Sequence, residues 1–291
     1  MKKRTAASVA ALALTAAAGA YLAWENYALK VSRFEYASAK LPAEFDGYKI
    51  ALLSDLHDRS FGADNRELLS LLKELEPNAI MLAGDIFTKH TPRNSHPALS
   101  LVRGCAAIAP SYYVSGNHEA KLERMSYLEY RRELELEGVR ALDDERVEIS
   151  LGGESISLLG LRDFRFDERS YGRDAQVSAD FRLMRLMNNV EGMSILLVHR
   201  PEQLEVYARY GVDLVLCGHT HGGQWRLPGI GALFIPNQGL FPPISDGEYL
   251  KENTTMIIST GLGATHIPLR VFNRPEIALI TLRCKGADDA I

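Results

Sequence analysis

The chain has 291 residues, 46% of them hydrophobic and 24% charged, a length and composition typical of a folded protein with one large domain or two modest ones. Its formal net charge of −4 argues against a nucleic-acid-binding protein, which would show a basic excess, and no protein partner is implied. The three cysteines share no CxxC spacing, which excludes a disulfide framework and a zinc–thiolate site.

The N-terminus begins with three basic residues and continues with an uncharged run over residues 5–24. About twenty apolar residues suffice to span a bilayer, and the basic residues favour a cytoplasmic N-terminus. We therefore expect residues 1–28 to form a single-pass membrane anchor through residues 5–24, with the rest of the chain outside the cytoplasm. The run is rich in alanine, and Ala18-Gly19-Ala20 resembles a cleavage site, so a cleaved signal peptide with a secreted product is the alternative.

Short apolar runs typical of buried strands follow, and those in the first half of the chain alternate with helical patterns. The predicted strands are YKIALLSDLH, NAIMLAGDIF, SYYVSGNHE, MSILLVHRPE and VDLVLCGHTHGG, and the helices are NRELLSLLKELEP, HPALSLVRGCAAIAP and KLERMSYLEYRRELELEG. RVEISLGGESISLLGLRD predicts a hairpin around Gly152-Gly153, and residues 162–187 a loop followed by a helix with an apolar stripe. This order indicates an α/β architecture with largely parallel central strands, one domain over residues 29–286 and a tail over 287–291.

The ends of five predicted strands carry side chains that can bind metal ions. They are Asp55 and His57, Asp85, Asn117 and His118, His199, and His219 with His221. Each alone is explained by a turn or a cap, but five such ends in one chain are hard to produce by chance, and strand ends commonly bind ligands. Carboxylate, imidazole and amide groups without thiolate suit Mn, Fe or Zn, and their number fits two ions about 3.5–4 Å apart. Asp85, central in the order, is the candidate bridging carboxylate.

The segments SDLH, GDIF, SGNHE, LLVHRP and CGHTHGG resemble, in this order, the five signature blocks of the calcineurin-like metallophosphoesterases over residues 48–223. GQWRLPGIGALFIPNQG and STGLGATHIPLRVFNRPEIALITL are similar to the bacterial membrane-anchored YkuE/YaeI-like branch. The resemblance implies a four-layer αββα sandwich, in which two mixed β-sheets are flanked by helices. It also implies two divalent metal ions per chain at the strand ends.

The resemblance divides the seven expected metal ligands into two sets that share one carboxylate. One ion would be bound by Asp55, His57, Asp85 and His221, and the second by Asp85, Asn117, His199 and His219. A metal-activated water would then attack phosphorus in line.

His118 would not bind metal but would face the scissile phosphate and stabilise or protonate the leaving oxygen. After its GD block the chain reads IFTKH instead of the V-D-R-G of protein Ser/Thr phosphatases. That departure argues against a phosphoprotein substrate and leaves the acid partner of His118 unassigned. Arg200, His266 and Arg270 are candidate contacts for substrate phosphate, although surface charge and packing explain them equally well.

The expected function is a dimetal-dependent hydrolase of phosphate esters at the bacterial cytoplasmic membrane. A phosphodiesterase acting on a lipid- or envelope-linked substrate is favoured, because an anchor suggests a substrate in the membrane or envelope. A phosphatase for soluble nucleotides or sugar phosphates would use the same site. A noncatalytic metal-binding envelope protein is the alternative of another class, but such a protein would have no need of His118.

Overall fold

The computed structural model of the chain describes residues 2–88, 96–168, 172, 175–236, 238–264 and 269–285. Elements are numbered in chain order. The first sheet consists, in spatial order, of β1 (Lys30–Ser38), β16 (Glu276–Cys284), β2 (Lys49–Leu53), β3 (Ala79–Ala83), β4 (Ser111–Val114) and β5 (Val139–Ala141). Strands β2 to β5 are parallel, and β16 runs antiparallel to β2 and parallel to β1. The connections contain α2 (Arg66–Glu74), α3 (His96–Ile108) and α4 (Arg124–Leu136), where the sequence predicts helices.

The second sheet consists, in spatial order, of β14 (Gly247–Lys251), β15 (Thr254–Ile258), β9 (Leu214–Cys217), β8 (Ser194–Val198), β7 (Glu154–Leu161) and β6 (Glu145–Leu151). Its four inner strands are parallel, and an antiparallel hairpin forms each edge. The turn between β6 and β7 is the predicted one, and Gly152 and Gly153 adopt φ of 64° and 96° there. Helices α5 (Ala175–Met187) and α6 (Leu204–Arg209) belong to this half of the chain.

The two sheets pack face to face, and helices cover both outer faces. Alternate residues of a strand point to opposite faces, so Ile50 and Leu52 of β2 enter the core between the sheets. Ala51 and Leu53 face the other way and pack with residues of α2, α3 and α4. Leu183 of α5 packs likewise on the outer face of the second sheet. The predicted arrangement of two mixed sheets flanked by helices is confirmed.

The segments outside the sandwich are α1 (Lys2–Tyr27) and two short hairpins after β9. Strand β10 (Arg226–Leu227) pairs with β11 (Gly231–Ala232), and β12 (Phe234–Ile235) pairs with β13 (Gly239–Leu240). Within the described ranges, no helix combines the length and the apolarity that a membrane crossing requires. The predicted span over residues 5–24 is therefore not confirmed.

Candidate metal centre

All five predicted ligand-bearing segments follow a strand and meet at one end of the sandwich. Asp55 and Asp85 follow β2 and β3 of the first sheet, whereas His199 and His219 follow β8 and β9 of the second. Most of the expected metal ligands have a left-handed backbone conformation. Five expected ligands have φ between 49° and 73°: Asp55, His57, Asp85, His219 and His221. Such a conformation costs about 1–3 kcal/mol at a non-glycine residue and clusters at functional sites, where it aims side chains that an extended strand would direct elsewhere.

Glycines beside the ligands let carboxylates pack directly on backbone. A Cβ atom at Gly116 would lie 2.3 Å from Asp85 Oδ1, and one at Gly218 would lie 2.6 Å from Asp55 Oδ2. Both separations are far below van der Waals contact, so any side chain at these positions would displace an expected metal ligand. This explains why the SGNHE and CGHTHGG segments need glycine next to their polar residues.

The first group of converging atoms comes from Asp55, His57 and His221, with Asp85 beside them. The two Nε2 atoms of His57 and His221 are 3.2 Å apart, and Asp55 Oδ1 lies 3.4 Å from His221 Nε2. Burial lowers the pKa of His57 to about 3, and burial followed by the charge of Arg270 lowers that of His221. Both imidazoles are therefore neutral near pH 7. Asp55 Oδ1 is buried and has no hydrogen-bond partner among the described residues, so its lone pairs are available to an ion.

The second group surrounds His199 Nε2. That atom lies 3.1 Å from His219 Nδ1, 3.2 Å from Asn117 Oδ1 and 3.4 Å from Asp85 Oδ2. His199 Nδ1 lies 2.7 Å from the Ala83 carbonyl, which can only accept, so Nδ1 carries a proton and Nε2 faces the cluster. Burial alone would lower the pKa of His199, but the Asp85 carboxylate outweighs it and raises that pKa to about 10.

The two groups share Asp85 Oδ2, which lies 3.8 Å from His57 Nε2 and 3.4 Å from His199 Nε2. Ligand atoms bound at about 2.0–2.2 Å to one ion lie roughly 3.0–3.4 Å from one another. Most of the separations within each group fall in or near this range. The donor atoms are carboxylate oxygens, imidazole nitrogens and one amide oxygen, as divalent ions of hydrolytic sites prefer. The residues present therefore fit divalent metal ions, with Asp85 placed between the two groups.

His118 lies beside the shared carboxylate but is the most open of these histidines. Its backbone N–H donates to Asp85 Oδ1 at 2.7 Å, and its Nε2 lies 4.0 Å from Asp85 Oδ2. The side chain is 22% exposed, and burial of the rest lowers its pKa. Among the residues described, His118 Nδ1 has no hydrogen-bond partner, and the acid partner that the sequence left unassigned remains unassigned.

The three candidate phosphate contacts lie in different places in the structure. Arg200 lies at the cluster, where its Nε donates to Asp163 Oδ2 at 2.7 Å and its Nη1 lies 3.2 Å from His219 Nε2. Arg270 is fully buried, and its guanidinium donates to the carbonyls of Thr260 and Gly263 at 2.8 Å. This placement argues against the expected phosphate contact of Arg270, because the guanidinium is enclosed and already bonded. His266 lies outside the described residues.

Two further carboxylates contact the expected metal ligands on the side away from the cluster. Sequence reasoning did not single them out. Glu119 is fully buried and accepts four backbone N–H bonds of 2.8–3.0 Å, from Asp85, Ile86, Phe87 and Gly116. Glu202 Oε1 lies 3.2 Å from His219 Nε2, the nitrogen opposite the one that faces the cluster. The only sequence signal for these two residues is their place inside the SGNHE and LLVHRPE segments. That signal is weak, because acidic residues are common in loops.

Comparison with known proteins identifies the family. The calcineurin-like phosphoesterase profile matches residues 48–223. The chain belongs to the calcineurin-like phosphoesterase family. This phosphoesterase is 30% identical over 284 residues to the "Uncharacterized metallophosphoesterase YkuE" of Bacillus subtilis, covering 95% of this chain and 94% of the relative. It is 26% identical to the "Phosphodiesterase YaeI" of Escherichia coli, covering 81% and 82% of the two chains. The expected superfamily and branch are thereby confirmed.

Solved structures agree on the fold. The phosphoesterase superposes on TT1561 of Thermus thermophilus with a TM-score of 0.51 and 15% identity, over 74% of this chain and 91% of that one. At this identity the likeness concerns architecture alone.

Proposed function

We propose that this phosphoesterase is a dimetal-dependent phosphodiesterase that acts on a lipid- or envelope-linked phosphoester. The observation that carries the proposal is the position of Asp85 Oδ2, which lies within 3.8 Å of ring nitrogens from both ligand groups. A single carboxylate placed in this way would join two ions rather than complete one, which is the arrangement used to hydrolyse phosphate esters.

The chain's own groups have distinct tasks in this proposal. Asp55, His57 and His221 would hold one ion, and Asn117, His199 and His219 the other, with Asp85 between them. Bound divalent ions supply a lowered pKa to coordinated water and positive charge opposite the phosphoryl oxygens. His118 presents a ring nitrogen at the open side of Asp85, where it can share a proton with the departing oxygen. Arg200 lies beside His219 and adds positive charge at the same edge.

Two observations support the choice of a diester in the membrane or envelope. A relative with 26% identity carries the description phosphodiesterase. The uncharged run over residues 5–24, preceded by basic residues, favours retention at a membrane with the catalytic domain outside the cytoplasm. The nature of the ions, Mn, Zn or Fe, is a separate question that metal analysis of the purified protein answers.

The test compares hydrolysis of bis-p-nitrophenyl phosphate and p-nitrophenyl phosphate by the full chain in detergent, with added Mn²⁺ and with chelator. The same assays are run on His118→Ala after its metal content has been measured. We expect turnover of the diester that requires metal and falls about 100-fold or more in the variant, without loss of metal. Full turnover in a metal-loaded His118→Ala protein would refute the role of His118.

The reagents also separate the alternatives. Preference for the monoester, with no gain from detergent-dispersed phospholipid, would favour a phosphatase for soluble substrates. Metal binding with no hydrolysis of either reagent or of dispersed lipid would favour a binding protein.

A further inference from the structure

The segment that follows the last expected metal ligand exposes a row of large apolar side chains. They lie on β10 to β13 and the adjoining turns, and we name them the hairpin strip: Trp225, Leu227, Ile230, Phe234, Leu240 and Phe241. Ile230 is 65% exposed and Leu240 is 72% exposed. No Asp or Glu occurs between Leu214 and Ser245, and Arg226 is the only Lys or Arg there. Six large apolar side chains exposed along one short segment indicate an interaction site in a folded protein.

Backbone bonds hold the hairpin strip in place next to the metal centre. Leu233 N–H donates to the Trp225 carbonyl, and Phe241 N–H donates to the Leu233 carbonyl, both at 2.9 Å. A Cβ atom at Gly223, two residues after the ligand His221, would lie 2.5 Å from Ala232 Cβ of β11. The exposed side chains therefore belong to a hydrogen-bonded segment that begins at the metal centre.

Phe272 extends the hairpin strip to the end of α1. Together with residues 226–231 it lines a shallow cleft of about 370 Å³, and its ring lies 5.9 Å from that of Tyr21 on α1. Hydrogen bonds fix the junction, because Arg270 N–H donates to Asn26 Oδ1 at 2.8 Å and Asn26 Nδ2 donates to the Arg270 carbonyl at 3.0 Å. The apolar surface is therefore continuous from the hairpins to α1.

The end of α1 carries the residue types that concentrate at a membrane–water interface. Arg274 lies over the Trp24 ring at 4.6 Å, and Arg59 lies over the Tyr27 ring at 4.9 Å. Aromatic rings with arginines stacked on them place an apolar body and a charged tip side by side, which suits the headgroup region. Leu12 and Leu14, further along the uncharged run, are exposed as well. The uncharged run over residues 5–24 leads directly into this surface, and a surface that binds a protein partner would not require such a run.

We infer that the hairpin strip, Phe272 and the C-terminal end of α1 form one surface that lies against a lipid bilayer. The metal centre would then face the headgroup region, since His221 is only four residues from Trp225 and Asn273 Nδ2 donates to the His221 carbonyl at 2.7 Å. This inference goes beyond the proposed function, because lipid contact at the hairpins needs neither catalysis nor metal.

The chain contains two tryptophans, Trp24 on α1 and Trp225 on the hairpin strip, so single substitutions report on each part separately. The full chain with Trp24→Phe retains only Trp225, and the chain with Trp225→Phe retains only Trp24. Each is reconstituted with vesicles of phosphatidylcholine and phosphatidylglycerol, with and without brominated acyl chains, which quench only nearby indoles. We expect brominated lipid to quench both tryptophans.

A second set of variants tests whether the apolar side chains make the contact. In the Trp24→Phe background, Ile230→Glu with Leu240→Glu should abolish quenching of Trp225 and leave hydrolysis of the soluble diester unchanged. Leu136→Glu on α4 is the matched control, since Leu136 is 75% exposed and belongs to a helix of the other sheet. It should leave the quenching intact.

Quenching of Trp24 without quenching of Trp225 would overturn the inference, because α1 alone would then meet lipid. So would a lipid-free dimer in which Trp225 is shielded from acrylamide, since a second copy of the chain would then cover the hairpin strip. Loss of diester hydrolysis in every protein, with both tryptophans quenched, would contradict the proposed function but leave the lipid-facing surface standing.

Discussion

Glu119→Gln tests the buried carboxylate that supports the shared ligand. Glu119 Oε1 accepts from Ile86 and Phe87, and Oε2 accepts from Asp85 and Gly116, each at 2.8–3.0 Å. Glutamine has nearly the same shape but only one carbonyl oxygen, so its NH₂ group must face two of these N–H donors in either orientation. The site is fully buried, and water cannot replace the lost acceptor.

The size of the destabilisation follows from the number of buried N–H groups that lose their acceptor. Each buried N–H without a partner costs about 1–3 kcal/mol, so two of them lower the free energy of unfolding by about 2–6 kcal/mol. The total stability of a domain is about 5–15 kcal/mol, so the loss would be large. Because Asp85 is one of the four donors, we also expect weaker metal binding in the variant that remains folded.

Urea unfolding of the metal-free chain at pH 9, followed by circular dichroism, measures the first effect, and metal titration measures the second. The alkaline pH is needed because burial raises the pKa of Glu119 to about 8, and only the ionised carboxylate accepts from all four donors. Glu154→Gln is the matched control, because Glu154 is an exposed residue at the start of β7. A difference of less than about 1 kcal/mol between Glu119→Gln and the unmodified chain would refute the reasoning, since at least one orphaned donor must be paid for. Equal losses in both variants would show a general effect of charge instead.

Three further predictions concern the ligands. Glu202→Ala removes the acceptor next to His219 Nε2 and should weaken metal binding about 10–100-fold by titration, whereas Glu205→Ala at an exposed position of α6 should not. Metal uptake should release about one proton at pH 8 and tighten as pH rises toward 10, because His199 has its pKa raised to about 10 and must lose that proton to bind; calorimetry in two buffers of different ionisation enthalpy measures the proton, and no release would contradict the assignment. Gly116→Ala places a methyl group 2.3 Å from the shared carboxylate and should reduce metal content and diester hydrolysis together; normal metal content in the purified variant would contradict this.

The ligand-bearing segments could be identified from the sequence because each follows an apolar run and precedes a turn. Strand periodicity and turn chemistry are local properties, so Asp55, Asp85 and His199 could be placed at strand ends without knowledge of the fold. Glu119 and Glu202 could not be assigned in this way. Their partners are backbone N–H groups and an imidazole brought by other loops, and nothing in their neighbouring residues indicates those contacts.

Arg270 is a residue whose surroundings could not be predicted from its neighbours in the sequence. A glycine-rich loop near the C-terminus, with an arginine in it, is as consistent with a phosphate contact as with packing. The structure instead encloses this side chain between backbone carbonyls and the end of α1, where Asn26 bonds to its main chain. Residues 244 positions apart meet there, and no periodicity within the chain encodes such a contact.

The sequence by itself determined the five ligand-bearing strands and the three helices between the first of them, the residue types of the metal centre and the family. These features depend on patterns within some ten residues or on a chain of short motifs. Only the tertiary structure decided that β16 inserts between β1 and β2, and that Asp85 from one sheet lies 3.4 Å from His199 of the other. Those arrangements depend on how two sheets bury their shared apolar faces, a condition satisfied by the whole chain at once.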